Sequence, residues 1–165
     1  MCAGHEIQGF ALIMKAISTS KATVQPPVAG AVLFYDGECG LCNAAVRFLL
    51  RIDRKAVLLF APLQGPTAQT YLKLKSLPTE DFDSLIFVAD WSRCSELAPQ
   101  FRTDAALSAL AAIGGGWGSL RALRIIPRSL RDAVYRLVAR SRYRLFGPYR
   151  PTPLPRSEWI QRFMP

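Results

Sequence analysis

Apolar positions divide the chain into short buried runs and longer periodic ones. The run AVLFYD at 31–36 lies between Gly30 and Gly37 and predicts a buried strand. From Cys42 onward, Ala45, Val46, Leu49, Leu50 and Ile52 recur at helical spacing, with Arg47, Arg51 and Arg54 on the other side, which predicts a helix over 42–54. AVLLFAPL at 56–63 reads as a second strand stopped by Pro62, and a polar-faced helix over 67–75 should end before Pro78. DSLIFVAD at 83–90 is a third strand. ELAPQFR at 96–102 offers it a hairpin partner, which Pro99 makes an edge strand or no strand. RTDAALSALAAI then starts a helix with Thr103 or Asp104 as its cap, ending at Gly114, Gly115 and Gly116. Two more helices follow, over 117–125 before Pro127 and over 128–143 before Gly147.

The order strand, helix, strand, helix, strand, strand, helix is that of a thioredoxin-like α/β domain, here with additional C-terminal helices flanking the central sheet. Its βαβ opening implies a parallel central pair joined by a right-handed crossover. The expected division is a disordered leader over 1–28 closed by Pro26 and Pro27, one domain over 29–147, and a Pro-rich tail over 148–165 extended across the surface. The leader lacks the basic start and long apolar core of a secretory signal. It is Ser/Thr-containing and nearly free of acids after Glu6, which leaves organellar import open, and Met14 is an alternative start. No segment reaches the roughly 18 apolar residues of a membrane span.

Charge changes the picture at one end only. The net charge of +9 resides in the last quarter of the chain: after Ser119 there are eleven arginines against Asp132 and Glu158. Arg121, Arg124, Arg128 and Arg131 recur three or four apart as a basic stripe, followed by Arg136, Arg140, Arg142 and Arg144. The plain reading is a solvated helix face, and the sharper one a docking surface for an anionic partner. Leu130, Val134, Leu137 and Val138 form the opposite, apolar face, by which the helix should pack on the domain. Tyr135, Tyr143 and Tyr149 interleave with the arginines, but no recognised nucleic-acid motif accompanies them, so nucleic acid is not an expected partner. Trp91, Trp117 and Trp159 are read as core or tail anchors.

The chemistry lies in FYDGECGLC, at 34–42. Cys39 falls at the predicted helix N-terminus, where unpaired backbone N–H groups and the helix dipole favour thiolate over thiol. Cys42 lies one turn deeper, able to resolve a mixed disulfide formed on Cys39. The pair thus reads as a redox dithiol with Cys39 as nucleophile, acting on thiol- or disulfide-containing substrates in a reducing compartment, expected to be the cytoplasm, without cofactor or metal. Zinc needs about four ligands, and the extra candidates are Cys94, Cys2 and His5, the last two in the leader. Two thiols used only as small apolar residues fit poorly beside Gly37 and Gly40. Cys94 itself reads as inert. Asp36 has two readings: a cap for the loop or helix, or a proton acceptor near the thiols. Glu38, next to Cys39, opposes the dipole effect.

LFYDGECGLCNAAVRFLLRID resembles the opening motif of the DCC family of thiol-disulfide oxidoreductases, whose DGxCxxC signature is matched by Asp36, Gly37, Cys39 and Cys42. The likeness extends through FAPLQ, RTDAAL, LRIIPRSLRDAVYRLVARSRYRLFG and the closing PLP, covering about 32–155. It implies a thioredoxin-like fold and disulfide exchange. Two departures stand out. Many members carry a further cysteine before the closing Leu-Pro, where Thr152 is the nearest counterpart here. Thioredoxins also place a cis-proline directly before the third strand, and Pro78 comes too early for that. A non-catalytic binding module, using the arginine-rich helices, and a metal or cluster carrier are the alternative readings.

Overall fold

β1 (Ala31–Tyr35) is buried along its whole length, because it occupies the middle of a four-stranded sheet and is covered on both faces. The computed structural model describes residues 30–80, 85–149, 154 and 156–165. The expected leader, Cys2, His5 and Thr152 lie outside them. In the order β2–β1–β3–β4, β2 (Leu58–Pro62) pairs parallel with β1, and β3 (Ile86–Val88) pairs antiparallel on its other side. The short β4 (Gln100–Phe101) is the edge strand that Pro99 permits, antiparallel to β3. This mixed α/β architecture is the thioredoxin-like one that the element order implies.

Alternation along the strands builds two cores. Ala31, Leu33 and Tyr35 point to one face with Leu58, Phe60 and Phe87, and are covered by α1 (Gly40–Ile52) and α3 (Arg102–Ile113). Val46, Leu49 and Leu50 of α1 and Ala105 and Ala109 of α3 make that contact. Val32, Phe34, Leu59 and Ala61 point to the other face, against α2 (Pro66–Leu74) through Ala68, Tyr71 and Leu72. Pro66 sits at the first position of α2, where its missing N–H is not needed. Phe34 stacks on Tyr71 with centroids 5.2 Å apart, and Trp91 closes that cluster.

Helix α4 (Arg128–Phe146) is oriented opposite to expectation. Leu130, Val134, Leu137 and Val138 face solvent, while Asp132 and Arg142 are buried. The reason is the acidic groups waiting on the body. Arg131 Nη1 donates to Asp104 Oδ1 at 2.6 Å, and Asp132 accepts from Thr103 Oγ1 at 3.0 Å. The backbone N–H of Leu85 donates to the Tyr135 hydroxyl at 3.0 Å. Thr103 and Asp104, read as helix caps from sequence, are thus taken up by α4, and α3 begins after Phe101 instead. Of the expected stripe, Arg121, Arg124 and Arg128 stay exposed, whereas Arg131 is turned to the body. Arg131 and Arg128 pair with Asp104, Arg128 also with Asp132, and Arg124 reaches Ser108 Oγ at 2.6 Å.

Two further differences concern the C-terminal quarter. The segment over 117–125 belongs to a 3₁₀ run, Gly115–Ile125, with no buried residue, and Trp117 packs edge-on against Phe48 rather than entering the core. The tail ends in a 3₁₀ turn, Ser157–Arg162, that docks instead of trailing over the surface. Trp159 is buried, Phe163 bridges Phe60 in parallel, and Met164 N–H donates to Phe60 O at 2.8 Å. Arg162 enters the interior and forms an ion pair with Asp53, which also accepts the N–H groups of Val57 and Leu58. No described helix is long and apolar enough to cross a membrane.

Candidate active site

Where β1 ends, the chain must turn outward before α1 can fold back over the sheet. Asp36 makes that turn: its Oδ1 accepts the Glu38 N–H at 3.0 Å and Gln64 Nε2 at 2.9 Å. Gln64, just past β2, returns a bond by accepting the Gly37 N–H at 3.0 Å, which ties the loop to the neighbouring strand. From inside α1, Asn43 Nδ2 donates to the carbonyls of Gly37 at 2.8 Å and Cys39 at 3.0 Å. The loop is therefore pinned from both sides. The capping reading of Asp36 describes what its Oδ1 does.

Cys39 is the N-cap of α1, with extended backbone (φ −88°, ψ 123°), and its sulfur accepts the Cys42 N–H at 3.4 Å. A donor aimed at a sulfur at a helix N-terminus stabilises negative charge there. Cys42 has the opposite tendency: burial, the hydrogen bond to Cys39 and the charge of Cys39 push its thiol up from 9.0 to about 12.

Arg142 is the site residue that the sequence reading counted only among the surface arginines. It comes from α4, is almost completely buried, and places Nη2 3.3 Å from Asp36 Oδ2 and Nη1 4.0 Å from the Cys42 sulfur. Its positive charge opposes the upward push on the Cys42 thiol. Eleven arginines after Ser119 with near-regular spacing gave no local signal to single it out. The available hint was its place on the helix face shared with Arg131 and Tyr135.

The segment after α4 covers the motif. Gly147, with φ +62°, ends the helix in the left-handed conformation glycine favours and redirects the chain over Cys39. Gly147 O accepts the Gly40 N–H at 3.3 Å, the Tyr149 N–H donates to Glu38 O at 2.7 Å, and Cys39 and Pro148 form an antiparallel bridge. A Cβ on residue 40 would lie 2.7 Å from the Phe146 carbonyl oxygen, so the close approach requires glycine. Under this strap Cys39 has 0% exposure, whereas Cys42 is half-buried. A proline does face the cysteines, but it is Pro148, arriving from α4 rather than from before the third strand.

Beside the pair lies a cavity of about 250 Å³ lined by Tyr35, Asn43, Arg47, Tyr149 and Phe163 among others. Arg47 Nη2 donates to the Tyr149 hydroxyl at 3.2 Å across it. Burial, with smaller contributions from Tyr149 and Cys42, pushes the Tyr35 phenol up to about 12, so it stays a neutral wall at physiological pH. Cys94 packs with the core on the opposite face of the sheet from Cys42 and takes no part in the site.

A family model described as DCC1-like thiol-disulfide oxidoreductase matches residues 33–148, from β1 to the strap. The chain is 34% identical over 134 residues to the uncharacterized protein YuxK of Bacillus subtilis (strain 168), covering 81% of this chain and 93% of that protein. It is 27% identical over 117 residues to the DCC family protein At1g52590, chloroplastic, of Arabidopsis thaliana, covering 70% of this chain and 64% of that protein. No solved structure gives a significant match.

Proposed function

The chain belongs to the DCC1-like thiol-disulfide oxidoreductase family, and from that premise we propose that it exchanges disulfides through Cys39 and Cys42. The observation that carries the reading is the Cys42 N–H directed at the Cys39 sulfur at the start of α1. In the reduced protein the Cys39 thiolate attacks a client disulfide, forming a Cys39–client bond and expelling one client thiolate. Cys42 then gives up its proton to that thiolate and attacks the Cys39 sulfur, releasing the second client sulfur. The client gains two electrons and the protein pair loses two, and the sequence runs equally in reverse.

Each remaining site residue has a part in this reading. Arg142 lowers the barrier to ionising Cys42 in the resolving step by holding positive charge beside its sulfur. Asp36 is a positioning residue that acts through Arg142, with Gln64 and Asn43 fixing the loop that carries Cys39. The strap must move before a client reaches Cys39. That burial is also the observation favouring a non-catalytic binding module, and one experiment separates the two.

Redox titration with thiol alkylation and peptide mapping should reveal a reversible Cys39–Cys42 disulfide. Disulfide reductase activity toward a model substrate should disappear in Cys39→Ser. Two thiols that remain unreactive in every redox buffer would instead overturn the disulfide-exchange reading.

A further inference from the structure

An ordinary surface helix buries its aliphatic side chains and turns its charges to water. α4 does the reverse. Asp132 and Arg142 are 8% and 6% exposed, whereas Leu130, Val134, Leu137 and Val138 are 58%, 58%, 70% and 45% exposed. Just before the helix, Ile125 is 87% exposed and extends the same apolar character. Burying such side chains is favourable, so a whole helical face left in water marks a surface built to be covered.

Charge decides what covers it. Arg136, Arg140 and Arg144 are exposed and follow one another at every fourth residue along the edge of this stripe. Between Asp132 and Glu158 the chain has no acidic residue at all. A second copy docked by the same face would bring patch against patch, as two-fold contacts do, and set these arginines against their own kind. An anionic lipid surface meets both features at once. Aliphatic side chains enter the boundary between headgroups and acyl chains, and arginines pair with phosphates above it. A basic helix with one apolar face suits lying in that plane, and no described helix suits crossing it.

We propose that the outward face of α4 is a peripheral docking surface for anionic phospholipid membranes. The full chain should co-sediment with vesicles of phosphatidylcholine mixed with phosphatidylglycerol, be released by salt, and ignore vesicles of phosphatidylcholine alone. Val134→Asp together with Leu137→Asp should abolish that binding while the melting temperature and cysteine alkylation stay near wild type. Replacing Arg136, Arg140 and Arg144 by Gln should weaken it by on the order of a hundredfold, from about fivefold per arginine. Absence of binding at low salt, equal binding to neutral vesicles, or binding untouched by both sets of substitutions would overturn the proposal. So would a dimer that the two Asp substitutions dissociate in a chain that ignores vesicles.

Discussion

Arg142 and Cys42, a hundred residues apart in sequence, meet with 4.0 Å between guanidinium Nη1 and sulfur. The same guanidinium holds Asp36 at 3.3 Å, so one buried cation joins the motif's carboxylate to its second thiol. Arg142→Leu removes a buried cation that lies 3.3 Å from Asp36 Oδ2 and should destabilise the protein by about 3–5 kcal/mol, the usual consequence of breaking a buried ion pair from one side. Asp36→Asn in the same chain should recover part of that loss, with a coupling energy of about 0.5–3 kcal/mol. Denaturant unfolding of the four proteins measures it, and strictly additive losses would show that the two groups do not act together.

The strap gives Cys39 a gate that a single atom can force. Alanine at position 40 would push its Cβ against the carbonyl oxygens of Phe146 and Gly147, at 2.7 and 3.1 Å. Backbone atoms cannot yield as a flexible side chain does. Gly40→Ala is expected to lose about 1–3 kcal/mol of stability and to alkylate faster at Cys39 in the folded state. Mass spectrometry of the time course reads the second effect. A Cys39 rate unchanged by the substitution means that the strap does not limit access.

The thiol of Cys42 sets a pH window. Its pKa stands at about 12 in the fold against 9.0 outside it, so the protonated form is favoured by folding. The associated stability is complete below about pH 9 and is lost as pH rises from there toward 12. Alkylation of Cys42 in the reduced protein should therefore stay slow through neutral pH and climb only above about 9. Arg142→Gln removes a contribution that lowers this pKa and should carry the profile higher still. A Cys42 profile centred near that of a free thiol contradicts the assignment.

The tail is expected to be structural. Arg162 pairs with Asp53, whose side chain has no exposure, and also donates to the Leu58 carbonyl at 2.8 Å. Arg162→Ala should remove about 3–5 kcal/mol, visible as a melting temperature lower by about 10 °C. A melting temperature within about a degree of wild type rejects this role for the tail.

These expectations differ in how far the sequence revealed them. The strand, loop and helix from Ala31 to Ile52 were legible because their signals are local: an apolar run, a turn at Gly37, and Val46, Leu49 and Leu50 at helical spacing. The cysteine pair could be read for the same reason. The orientation of α4 could not, since its period shows two faces but not which one meets Asp104 and Asp36 across the fold. Arg142 was hidden by that same ambiguity. Trp159 was legible as an anchor, but the prolines of the tail did not announce that Arg162 would dock, because its partners Asp53 and Phe60 lie about a hundred residues earlier.

In the proposed exchange Cys39 attacks and Cys42 resolves. The most direct test is to incubate Cys42→Ser and Cys39→Ser proteins with a peptide disulfide and map the adducts by mass spectrometry. A mixed disulfide that accumulates on Cys39 in Cys42→Ser, with none on Cys42 in Cys39→Ser, is the expected result. An adduct confined to Cys42 would contradict this division of roles.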